Sequence, residues 1–301
     1  MPPLSHAILG AGGIGGLIGA CLAHSGDHVT LIVRGESLAE YPKKISLQSP
    51  FGNFEADVAI AATVPAVDVL WITVKATQLN SALASITNPS AVQAIVPLLN
   101  GIDHLALLRS KYGEKKIVAA TIAVESERVG PAQIIHRSPF ARLNVSSAGR
   151  DLLSQTIGQF EKLGFECKFI GDEPTLMWSK LVFLGPYALT TTAANKNAGE
   201  ILADPEWREL GLSCIREACA VAVAEGAKVD ADAVIAGVLK MPGHMRSSMQ
   251  KDVDQHKTPE LDAIAGPILR GARKHRVEIP ATRKLIGMVE QRAKYTPSLL
   301  R

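Results

Sequence analysis

The sequence predicts an α/β N-terminal domain followed by an all-α C-terminal domain. Three observations predict it. A strand, a glycine turn, a helix and a second strand follow one another within residues 6–33. Strand and helix signals then alternate as far as about residue 170. From Pro174 onward the strand signal almost vanishes and helical periodicity takes over.

The first strand is His6-Ala7-Ile8-Leu9, ending at Gly10. A helical pattern runs from Gly13 to about Ser25 and closes on Gly26. Val29-Thr30-Leu31-Ile32-Val33 has the β-branched character of a buried strand. Together these make one βαβ unit, whose strands must be parallel. Further strands are predicted over 67–74, 93–99, 117–124, 133–136 and 141–145, with helices over 77–86 and 151–163 among them. The boundary falls at Ile170-Gly171-Asp172-Glu173-Pro174, giving domains 1–172 and 173–301. The second domain should carry helices over 175–184, 188–203, 206–226, 231–240, 247–255, 259–275 and 281–294.

Composition narrows the function. The chain has 301 residues, 47% hydrophobic and 20% charged, with a net charge of +3, ordinary for a globular protein and too mild for a nucleic-acid binder. Cys21, Cys167, Cys214 and Cys219 are scattered, with no C-x-x-C pair, and read as reduced thiols rather than disulfides or a zinc site. No metal is implied, because the histidines lack ligand spacing. The start of the chain has no signal-peptide pattern, and no stretch is apolar enough to span a membrane, so a cytoplasmic protein is expected.

Gly10-Ala11-Gly12-Gly13-Ile14-Gly15 reads as G-x-G-x-x-G between a strand and a helix. In that context it is a Rossmann dinucleotide signature. Gly10 serves the tight turn, Gly12 lets backbone approach a pyrophosphate, and Gly15 lets helix and strand pack closely. The second strand ends in Val33-Arg34-Gly35. A cation there suits the 2′-phosphate of NADP(H), although Glu36 competes as a ribose ligand. Lys75 and Asn100 end two later strands, where ligands bind in open α/β sheets. The plain alternatives are a surface lysine and a left-handed turn residue before Gly101. Lys180 has apolar residues at every helical neighbour, so it either snorkels or faces a cleft with a lowered pKa. Ser247 with Gln250 fits a capping box, and Thr258-Pro259-Glu260 fits a helix start.

Taken together, these segments resemble the ketopantoate reductase (2-dehydropantoate 2-reductase) family along nearly the whole chain. The likeness rests on the glycine loop with Arg34, Val74-Lys75, Leu99-Asn100-Gly101 and Trp178-Ser179-Lys180-Leu181. It continues through Ser247-Ser248-Met249-Gln250-Lys251-Asp252 and Thr258-Pro259-Glu260-Leu261-Asp262-Ala263-Ile264-Ala265-Gly266. It implies NADPH-dependent reduction of a 2-oxo acid, in that family a step of pantothenate biosynthesis, by a monomer or homodimer. Lys180 would be the proton donor. Glu260 would sit near the reacting hydroxyl and the cofactor, and Ser248 would hold the substrate carboxylate. Asn100 and Lys75 would link cofactor and substrate.

The chain also departs from that family. Leu184, Ala188, Met245 and Ala265 stand where asparagines are usual, and Gly185-Pro186 should break or kink the Lys180 helix. Loss of amides points to a substrate less polar than ketopantoate. The rival expectation is a redox sensor that binds NADP(H) without turnover.

Overall fold

A computed structural model of the chain describes residues 2–296 and 298–300. It divides into two compact units. One comprises residues up to Leu99 together with His104–Gly171; the other comprises Asn100–Asp103 and the chain from Asp172 onward.

The first unit opens with β1 (Ser5–Leu9), α1 (Gly13–His24), β2 (His28–Ile32), β3 (Lys44–Gln48), β4 (Phe54–Asp57), β5 (Ala59–Ala61) and β6 (Val67–Ile72). It continues with α2 (Leu79–Ala82), β7 (Val92–Pro97), α3 (His104–Tyr112), β8 (Ala120–Ala123), β9 (Ser126–Gly130) and β10 (Gln133–His136). It closes with β11 (Arg142–Ser146), α4 (Arg150–Lys162) and β12 (Glu166–Ile170).

Five strands form a parallel sheet in the order β5-β2-β1-β6-β7. The chain lays strands outward from β1 on one side, then returns to the other side with β6. This is the Rossmann order, and the crevice beyond the carboxyl ends of β1 and β6 is where such sheets take ligands. Ile8, Val69, Leu70, Trp71 and Ile72 are fully buried, as the strands of a covered parallel sheet require. The buried His6 is satisfied too. The Trp71 Nε1–H donates to His6 Nδ1 at 3.3 Å, so Nε2–H is left to donate to Asp27 Oδ2 at 3.1 Å.

Two smaller sheets, β4-β3-β10-β9 and β12-β11-β8, complete the unit. Strands β3, β4, β5, β9 and β12 are additions to those the sequence predicted. In β3 the signal is present, since Ile45 and Leu47 are buried between exposed Lys44 and Gln48. In β9 no residue is buried, and its strand form depends on pairing with β10. The helix expected over 77–86 is mostly 3₁₀ turns, with only Leu79–Ala82 α-helical. Ser81 and Ser85 hydroxyls donate to carbonyls three residues back, at 2.9 and 2.8 Å, which tightens those turns.

The second unit is helical: α5 (Glu173–Ala194), α6 (Ala198–Ala203), α7 (Pro205–Ala224), α8 (Ala231–Leu239), α9 (Ser248–Asp254), α10 (Leu261–His275) and α11 (Pro280–Ala293). Its core joins Trp178, Leu181, Val182, Leu189, Ile215, Ile264, Ile268 and Leu285. Helix α5 runs unbroken through Gly185 and Pro186, where a break or kink was expected. Pro186 forfeits one bond, to the Val182 carbonyl. Packing of α5 on α7, α9, α10 and α11 outweighs it, and Gly185 admits Ile268 to 3.1 Å from its missing Cβ. The single helix expected over 188–203 is two helices. Asn195, at φ 55°, ends α5, and the Asn197 side chain caps α6 by accepting from the Glu200 N–H at 2.9 Å. Among the described residues no helix is long and apolar enough to cross a membrane.

Candidate active site

In the first unit, the loop after β1 is shaped by what its glycines allow. Gly10 has φ +107°, a region L side chains avoid, and a Cβ there would lie 2.7 Å from the Val74 nitrogen. A Cβ on Gly15 would meet the Gly10 carbonyl oxygen at 2.2 Å and Thr73 Oγ1 at 2.3 Å. These two glycines therefore hold α1 against β1 and the end of β6. Gly12 differs, because a Cβ there would meet nothing within 4 Å. Gly12 is the N-cap of α1, no side chain caps that end, and its first turn holds no acid. In the loop of Gly10, Ala11, Gly12, Gly13, Ile14 and Gly15, open space at Gly12 thus meets uncapped N–H groups and a positive helix end, while a Cβ on Gly13 would strike the Ser126 carbonyl oxygen at 2.2 Å. A pyrophosphate fits that cradle.

Arg34 follows β2, exposed, with extended backbone at φ −65° and ψ 144°. No carboxylate pairs with it among the described residues, which leaves its charge available to a phosphate. Glu36 sits in the following 3₁₀ turn, also exposed. Lys75 is half-buried; it follows β6 by three residues and starts the turn Ala76–Gln78.

In the second unit, Lys180, Asn100 and Glu260 meet. The Lys180 ammonium donates to Asn100 Oδ1 at 3.0 Å, and Asn100 Nδ2 donates to Glu260 Oε2 at 3.1 Å. Burial pushes the Lys180 pKa down to about 8, and the Glu260 charge only partly opposes this. Lys180 is therefore held in place by an amide rather than snorkelling. Asn100 is not the left-handed turn residue; Gly101 takes that role at φ +82°. A Cβ on Gly101 would lie 2.1 Å from the Ala263 carbonyl oxygen, so only glycine lets this segment lie against the start of α10. The segment is pinned further by Arg270, which pairs with Asp103 and, at 2.8 Å, with Asp262. That clamp was invisible in the sequence, where Asp103 and Arg270 are 167 positions apart.

Two expected helix ends change. Helix α10 begins at Leu261, not at Pro259, with Glu260 rather than Thr258 as its N-cap residue. The Glu260 side chain makes no capping bond and accepts from Asn100 instead. Ser247 caps α9 by accepting from the Gln250 N–H at 3.1 Å, but the reciprocal half of a capping box does not form. Ser248 is the exposed first residue of α9, and no bond joins it to Lys180, Asn100 or Glu260. Ala188 and Ala265 are fully buried, and Leu184 and Met245 half-buried, so none of these positions offers a polar group.

A family model described as ketopantoate reductase PanE/ApbA matches residues 6–149, and its C-terminal counterpart matches residues 174–293. A Bacillus subtilis protein named uncharacterized oxidoreductase YkpB is 29% identical over 290 residues, covering 92% of this chain and 95% of its own. A 2-dehydropantoate 2-reductase of Caulobacter vibrioides is 28% identical over 300 residues, covering 96% and 99%. A solved D-mandelate dehydrogenase, in complex with NADH and anilino(oxo)acetate, shares the fold with a TM-score of 0.85 at 22% identity, covering 99% of this chain and 100% of that one.

Proposed function

This chain belongs to the ketopantoate reductase family, and we propose that it reduces a 2-oxo acid to the 2-hydroxy acid with NADPH, using Lys180 as the proton donor. Family membership makes it an oxidoreductase acting on CH–OH groups with NADP(H) as cofactor. The observation that carries the finer reading is the amide bridge from Lys180 through Asn100 to Glu260.

The bound nicotinamide supplies the two electrons and one hydrogen that the carbonyl carbon receives. The chain's own residues do the rest. The cradle from Gly10 to Gly15 holds the pyrophosphate, Arg34 takes the 2′-phosphate, and Lys75 adds a cation at the end of β6. Lys180 Nζ gives a proton to the oxygen as negative charge develops there. Asn100 Oδ1 fixes the ammonium, and Glu260 opposes its loss of charge. Ser248 takes the substrate carboxylate. The balance is R–CO–COO⁻ plus NADPH plus H⁺, giving R–CHOH–COO⁻ plus NADP⁺.

2-Dehydropantoate, the substrate in the name of the Caulobacter relative, is the reference acid. Leu184 and Met245, both half-buried, favour one less polar, because apolar side chains cannot pair a substrate hydroxyl. NADPH oxidation followed at 340 nm across a panel of 2-oxo acids tests the reading. Turnover of at least one acid is expected. Tight NADPH binding with no turnover of any acid would leave a nucleotide-binding sensor in place of an enzyme.

A further inference from the structure

On the helix that carries Lys180, the half-buried residues that follow it on the same face are apolar. At 100° per residue, Phe183, Leu184 and Tyr187 all lie within about 60° of the Lys180 direction on α5. Each is half-buried, whereas Leu181, Val182, Ala188 and Leu189, on the other faces, are sealed in the core. Phe183 and Tyr187 stack, with ring centroids 6.0 Å apart and planes 26° from parallel. The Tyr187 hydroxyl oxygen is buried, so this residue presents ring rather than phenol. Tyr187 also lines an apolar cavity of about 30 Å³ with Pro186, Leu202, Leu212, Ile215 and Val238. The next polar residue along that face of α5, Thr191, is buried, with its hydroxyl 2.8 Å from both Ser247 Oγ and the Tyr187 carbonyl.

We propose that Phe183, Leu184 and Tyr187 form the specificity surface of this reductase, and that it takes a 2-oxo acid with an aromatic side chain. The inference rests on the reductase reading above. With the oxo group at Lys180 Nζ, a substituent lying along α5 meets Leu184 and the stacked rings first. An aromatic ring gains apolar contact and offset stacking there. A hydroxyl in the same place loses water and finds no side-chain partner. The reaction balance is the one already given, with an aryl or arylmethyl group as R.

Steady-state kinetics with NADPH decides the point, using pyruvate, 2-oxobutyrate, phenylglyoxylate, phenylpyruvate and 2-dehydropantoate. For the unaltered protein, kcat/KM should rise with apolar size. The better aromatic acid should exceed 2-dehydropantoate by about tenfold or more, in line with what one apolar contact region contributes to discrimination. Tyr187→Leu should cut the aromatic preference roughly fivefold through KM, with kcat retained. Leu184→Asn should move the preference toward 2-dehydropantoate. Preference of the unaltered protein for 2-dehydropantoate would overturn the inference and leave the reductase reading standing. Failure to reduce any of the acids would overturn both. The substrate series needs no variant, so a poorly folding mutant does not blunt the test.

Discussion

In the first unit, the atoms expected to hold the ligand are backbone N–H groups at the start of α1, positioned by glycines within six consecutive residues. In the second unit the proposed chemistry rests on side chains brought together over long separations, 80 residues from Asn100 to Lys180 and 160 from Asn100 to Glu260. A backbone site is protected from most substitutions but vulnerable wherever a Cβ intrudes. A side-chain site can lose its function to one substitution while the fold stands. The glycines of the two regions show the link: Gly15 lets α1 close on the sheet, and Gly101 lets Asn100 reach the start of α10.

The sharpest way to break the comparison is at Lys180. Lys180→Ala should lower kcat by roughly 10²–10⁴, the range for a general acid, and leave the Kd for NADPH nearly unchanged by calorimetry. Reduction should also decline above about pH 8 as the donor loses its proton. The same group bears on stability. Its folded pKa of about 8 lies below the ordinary lysine value of 10.5, so the unfolded chain binds this proton more tightly. Charged Lys180 therefore costs stability below pH 8, and the cost fades as pH rises toward 10.5. Lys180→Met should then be more stable than the unaltered protein at pH 7, by up to about 3 kcal/mol less the lost Asn100 bond. Urea titrations at pH 7 and pH 10 should show that gain shrinking; a gain that grows with pH would contradict the burial argument.

Next in size comes a contrast within the glycine loop. Gly15→Ala drives a Cβ into the Gly10 carbonyl and should destabilise the first unit by about 2 kcal/mol or more. Gly12→Ala adds a Cβ that meets nothing within 4 Å in the protein, so its melting temperature should hold while NADPH affinity falls at least roughly tenfold. Equal losses of stability in the two variants would mean that Gly12 is a packing glycine and no phosphate sits there.

The smallest effect is expected at exposed Arg34. Arg34→Ala should reduce the preference for NADPH over NADH roughly tenfold, the scale of one solvent-exposed charge-assisted bond. An unchanged ratio of kcat/KM for the two cofactors would move 2′-phosphate recognition elsewhere.

The sequence by itself determined the fold class, the glycine loop with its parallel strands, and the oddity of a lysine ringed by apolar residues. Each depends on neighbours within a few positions, where periodicity and backbone sterics act. Ile45 and Leu47 of β3 belong to the same class, since their alternation was there to be read. Only the tertiary structure decided the rest. It made β9 a strand by pairing alone and kept α5 intact through Pro186 by packing on four helices. It gave Asn100–Asp103 to the helical unit and moved the start of α10 past Thr258. It also turned the Glu260 carboxylate from a helix end to Asn100. The physical reason is one of range. A cap or a turn competes for groups a few bonds away, whereas the Lys180–Asn100–Glu260 bridge exists only once the packing of α5 and α10 has brought distant residues within 3.1 Å.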